Sequence, residues 1–168
     1  MFSNKPKPPR PDQKRELDIA LRELKRRYQI LMTQMSNIPE TPDMLIANDE
    51  IQRRSTLDQR EAYSNAKSSL AIIQACIQDS IRVWPEGKQV LSLLMDSSRL
   101  ILKLFENALE ENYLWDRPNP LDNYSQNRRA KIFAENRKLS SEGDKKLLEG
   151  VELLDQITGW NLLDFDQD

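Results

Sequence analysis

Two pairs of glutamates have the spacing for shared chemistry. Glu106 with Glu110, and Glu149 with Glu152, stand four and three residues apart, which puts both carboxylates of a pair on one face of a helix. Such pairs can divide acid and base roles or share a hard cation. The surrounding sequence supplies nothing to complete a centre of either kind: it has no calcium-loop pattern, no glycine-rich phosphate loop and no aromatic strands to hold a sugar. The four acids therefore read as solvated members of polar helix faces.

The chain has no histidine and a single cysteine. That excludes Ser/His and Cys/His nucleophilic pairs, Glu-x-x-His di-iron sets, and zinc sites built from imidazoles or several thiolates. Cys76 lies in the apolar run SSLAIIQACIQDSI, where a small thiol packs much as alanine does and no sequence neighbour stabilises a thiolate. Neither Gly-x-Gly-x-x-Gly nor Gly-x-x-x-x-Gly-Lys-Ser/Thr occurs, and the four glycines could hardly supply one. The expectation is a non-enzyme with no catalytic residue, no cofactor, no metal and no small-molecule substrate.

Positive charge is the other resource. Lys25, Arg26 and Arg27 form one cluster, and Arg128, Arg129, Lys131, Arg137 and Lys138 form a second with Phe133 among them. Phosphate contact needs charge but little geometry, so both clusters are candidate phosphate sites for nucleic acid. The net charge of −2 counts against a chain coated in positive charge. Charge comes in blocks instead: +5 over residues 1–27, −5 over 28–116, +4 over 117–139 and −6 over 140–168. The plainer reading is that basic helices lie against acidic ones and flank an apolar seam.

Helices must position these residues. With few glycines and long stretches rich in Leu, Glu, Lys, Arg, Gln and Ala, the chain favours helix and no strand is expected. Its 168 residues suit one domain, read as an all-α, up-and-down bundle of four to five helices with a long heptad-patterned first helix. Residues 1–11, with Pro6, Pro8, Pro9 and Pro11 among Lys5, Lys7 and Arg10, read as a flexible basic arm. Residues 12–160 form the bundle and 161–168 an acidic, mobile tail. Asp12 is placed as the first helix cap and Pro39 as its stop. Residues 39–55, with Met44, Leu45 and Ile46, read as a loop. The pattern Thr56-x-x-Gln59 predicts a capping box opening a second helix that runs to Trp84. Pro85 opens a third, 117–124 is a connection, a short basic helix follows, and a separate last helix ends near Gly159. The apolar-rich segment near 90–105 is broken by Asp96, Arg99 and Lys103, so no membrane span is expected. The proline-rich start lacks the apolar core of a signal peptide, and the expected location is cytoplasmic.

Leu17, Leu21, Leu24, Tyr28, Leu31, Met35 and Ile38 alternate spacings of four and three, an unbroken a/d stripe that must be covered by a helix of this chain or of another copy. Leu17 to Met35, with Trp84, Trp115 and Trp160 at element ends, are candidate partner-interface residues; packing at the bundle ends is the simpler role for the tryptophans. Leu162, Leu163 and Phe165 between acids have the form of a docking peptide and resemble the degenerate clathrin-box type of linear motif, a form also met in acidic tails of nucleic-acid-handling proteins. The alternative is an end that packs Leu162 or Phe165 on the bundle. The preferred functional expectation is a non-catalytic helical adaptor or scaffold that joins a larger assembly or its own copy. A nucleic-acid-associated protein is the alternative.

Overall fold

The computed structural model describes residues 6–41, 43–44 and 49–166. Four long helices form in order: α1 (Pro11–Ser36), α2 (Asp49–Val83), α3 (Lys88–Trp115) and α4 (Asn123–Thr158), with a single 3-10 turn at Pro85–Gly87 before α3. No strand occurs among the described residues.

Each helix runs antiparallel to its predecessor, and polar links set the register. Ser69 Oγ donates to Gln34 Oε1 at 2.6 Å between α2 and α1. Arg60 Nε donates to Asn112 Oδ1 at 3.0 Å, and Asn112 Nδ2 donates to the Thr56 carbonyl at 2.8 Å, between α2 and α3. Ser97 Oγ donates to the Gly143 carbonyl at 2.8 Å between α3 and α4. Around these links lies one apolar core. Leu17, Leu21, Leu24 and Leu31 of α1 meet Leu70, Ile73 and Ile77 of α2, Leu91 and Leu94 of α3, and Leu154 of α4. The backbones of α1 and α4 nowhere approach each other. That edge of the bundle is filled by the segment after α4, where Leu162 is fully buried and Leu163 and Phe165 pack partly against the core.

Several sequence expectations need correction. Helix α1 opens at Pro11, where the missing amide proton is harmless, with Arg10 as the cap residue; Gln13 Oε1 accepts from the Arg10 N–H at 3.0 Å. Asp12 pairs with the Arg10 guanidinium instead of capping. The basic arm is anchored over its described part, since Trp84 Nε1 donates to the Lys7 carbonyl at 3.0 Å; residues 1–5, including Lys5, lie outside the described residues. Helix α2 begins at Asp49, not at Thr56. No Pro or Gly interrupts 49–55, and Thr56 Oγ1 donates back to the Gln52 carbonyl at 2.7 Å within the helix. Gln59 Nε2 donates to the Pro39 carbonyl and to Thr41 Oγ1, tying down the preceding connection instead of closing a capping box. Of the expected apolar patch, Leu45 and Ile46 lie outside the described residues.

The largest correction concerns 123–158. The expected short basic helix and separate last helix are one continuous helix, α4, capped by Asp122, whose Oδ1 accepts from the Ser125 N–H at 2.7 Å. Gly143 and Gly150 sit inside it without breaking it, because both are buried where α4 crosses α3. The expected mobile tail is likewise packed over its described part. At Gly150 a methyl group would lie 2.9 Å from Leu94 Cδ2 and 3.2 Å from Leu93 Cβ; at Gly143 its nearest neighbour would be Ile101 Cγ1 at 3.3 Å. Overpacking of this kind costs about 1–3 kcal/mol against a helix-propensity gain of about 1 kcal/mol. Gly150→Ala is therefore expected to lower stability, and Gly143→Ala to change it less; urea-denaturation midpoints of the two variants check the order.

Candidate interaction surface

The stripe of α1 is consumed within the chain. Leu17, Leu21, Leu24, Tyr28 and Leu31 are all buried in the core, so a partner helix from another copy is not needed to cover them. Met35 is 37% exposed and is the outermost member of the expected interface set. Trp84 is fully buried at the α2–α3 junction. Trp115 is half-buried, with the Arg129 guanidinium stacked 4.0 Å from its ring centre. Trp160 is half-buried, and its Nε1 donates to Asp18 Oδ1 at 2.9 Å. The three indoles thus act first as packing elements, and they do not converge on one surface: Trp84 and Trp160 lie toward the start of α1, Trp115 at the α3–α4 connection.

The two basic clusters also divide. Arg26 and Arg27 both pair with Glu23. Arg128 Nη2 donates to Glu110 Oε1 at 2.7 Å, and Arg129 Nη1 donates to the Pro120 carbonyl at 2.6 Å. Arg128 and Arg129 therefore hold α4 to α3 and to the connection before it. Lys131, Arg137 and Lys138 are exposed and form no ion pair among the described residues. Leu162 is buried in the core, and Leu163 and Phe165 pack partly against it, Phe165 also lining the cleft beside α1.

A cleft of about 750 Å³ lies between α1 and the end of α4. Arg22, Lys25, Arg26 and Gln29 form its α1 wall; Asp155, Trp160, Asp164 and Phe165 form the other. The α1 wall follows from spacing, since residues 22, 25, 26 and 29 share one face of a helix. The opposite wall follows from the helix end: Gly159 takes a left-handed φ of 78° as the α4 cap, which turns the chain back toward α1. The α1 face continues outward from the cleft through Lys14, Arg15, Asp18 and Ile19. Lys14, Arg15 and Arg22 are exposed and without an ion pair among the described residues. Sequence reasoning passed over these three cations, although 15, 22, 26 and 29 repeat at seven, four and three.

The two glutamate pairs face largely outward, apart from Glu110, which pairs with Arg128. Glu106, Glu149 and Glu152 are exposed. The Arg128 hydrogen bond, followed by its charge, holds the Glu110 carboxyl below the ordinary carboxylate range. Burial raises Glu111 next to it, with Arg129 opposing. The Cys76 thiol is pushed up mainly by burial, which disfavours its thiolate. Among the described residues no group of three or more His, Cys, Asp or Glu side chains could hold a metal ion, and no helix is long and apolar enough to cross a membrane. Comparison with protein-family models, curated proteins and solved structures finds no match for the chain.

The two neighbouring glutamates should respond oppositely to pH. Glu110, lowered in the fold, stabilises above the ordinary carboxylate range, and that contribution is lost as pH falls through its folded value. Glu111, raised in the fold, stabilises only below the ordinary range and loses that contribution as pH rises through its folded value. Thermal unfolding from about pH 3 to about pH 7 should show Glu110→Gln less stable than the parent near neutrality with a flatter acid limb, and Glu111→Gln more stable near neutrality.

Proposed function

We propose that the protein is a non-catalytic helical module that binds another protein, an adaptor or scaffold component. The observation that carries this reading is the open cleft between α1 and the α4 end, where an aromatic pair, Trp160 and Phe165, is flanked by cations on one wall and carboxylates on the other. Aromatic anchors inside a polar rim are the composition of protein recognition sites. Because the α1 stripe is already covered, the partner is a different chain and not a second copy docking on those leucines.

A photo-crosslinking residue tests this. With p-benzoyl-phenylalanine in place of Gln29 inside the cleft, ultraviolet irradiation of cells making the protein should yield a discrete heavier protein adduct. The same residue in place of Arg53, exposed on α2, should not. Equal adducts from both positions, or none from position 29, would overturn the reading.

One observation favours the alternative, nucleic-acid association through the N-terminal segment and the 128–138 region: Lys131, Arg137 and Lys138 are exposed and unpaired among the described residues. Arg128 and Arg129 are poor test positions because both hold structure. On this reading, labelled oligonucleotides bind at low salt, and replacing Lys131, Arg137 and Lys138 by alanine weakens binding and flattens its salt dependence. Unchanged affinity in that triple variant excludes the region as a phosphate site.

A further inference from the structure

We infer that the exposed face of α1, with the cleft beside it, binds an acidic segment of a partner protein that carries bulky apolar side chains. The inference rests on the interaction-module reading and gives the partner a chemistry.

Lys14, Arg15, Arg22, Lys25 and Arg26 all project from one face of α1, since their positions recur at helical spacing. From Lys14 to Arg26 they span about 18 Å at about 1.5 Å per residue. Three of this helix's acids are engaged: Asp12 pairs with Arg10, Asp18 accepts from Trp160, and Glu23 holds Arg26 and Arg27. Lys14, Arg15 and Arg22 have no such partner among the described residues. Ile19, 61% exposed, stands among them. Three cations without an ion pair among the described residues, Lys14, Arg15 and Arg22, with the exposed Ile19 in their midst, complement carboxylates interspersed with apolar side chains.

The chain carries its own example of such a segment. In residues 161–166, Asn-Leu-Leu-Asp-Phe-Asp, Leu162 is buried and Leu163 partly so in the core, while Asp164 and Phe165 line the cleft opposite Arg22, Lys25 and Arg26. An acid beside an apolar residue is therefore already present across the cleft from the α1 cations. The same wall disfavours a nucleic acid. Asp155 and Asp164 would face a phosphate backbone across the cleft, whereas a peptide can place its carboxylates on α1 and neutral side chains toward these aspartates.

The test uses the full chain and a fluorescein-labelled peptide of two tandem copies of the 161–166 sequence. Anisotropy should show saturable binding that weakens as salt is raised. The double variant Arg15→Glu, Arg22→Glu changes only exposed side chains and should keep its circular dichroism while losing about tenfold or more in affinity. Lys131→Glu with Lys138→Glu should leave the affinity unchanged. No saturable binding by the parent chain, equal affinity in the Arg15/Arg22 variant, or displacement of the peptide by an equimolar oligonucleotide would each overturn the acidic-segment assignment. Protein adducts from position 29 without peptide binding would leave the interaction module standing and discard only this partner chemistry; loss of both would remove the two together.

Discussion

Leu17, Leu21, Leu24 and Leu31 lose essentially all contact with water, and each such burial contributes about 1.5–3 kcal/mol relative to an exposed leucine. They can do so only if α2 and the later helices present a matching apolar surface, which Leu70, Ile73, Ile77, Leu94 and Leu154 provide. This seam fixes how far α1 lies along α2, and therefore which α1 residues are left facing solvent. The basic face of α1 is the back of the seam: had the heptad slipped by one position, Arg22 and Lys25 would turn inward and leucines outward.

Polar groups inside the bundle narrow the choice of register further. Asn112, buried, joins Arg60 to the Thr56 carbonyl, and Asn107 donates to Asn136 at 3.1 Å. A buried amide without its partner costs more than a neutral hydrogen bond contributes, so these pairs penalise a shift of α3 against either neighbour. The charge blocks obey the same geometry. The basic start of α4 lies along the acidic end of α3 through Arg128 and Glu110, and the basic face of α1 lies across the cleft from Asp155 and Asp164.

The sequence made α1 legible because a seven-residue repeat of leucines has one physical meaning, burial along a single seam. The start of α2 was not. Thr56-x-x-Gln59 is equally compatible with a cap and with a helix interior, and only contacts to Pro39 and Thr41, twenty and eighteen residues away from Gln59, decide between them. The continuity of α4 was not legible, because its basic first half and its more acidic second half share no single apolar repeat that marks one helix, and Gly143 and Gly150 find their role only where α3 presses against them. The cleft was the least legible feature. Its cations lie in sequence like any polar helix face, and what sets them apart is that α4 does not cover them, a property of the assembled bundle.

The bond between Trp160 and Asp18 spans 142 residues of sequence, whereas every helix–helix contact at backbone distance joins consecutive helices. Local pairings close short loops and form quickly; distant ones bear a larger closure entropy. Backbone neighbours follow the order of the chain, α1 with α2, α2 with α3 and α3 with α4, and the Trp160–Asp18 clasp alone among these links ties the first helix to the segment after the last. Closing it orders the whole length of the chain at once, so the far wall of the cleft depends on residues that stand farthest in sequence from the helix they face.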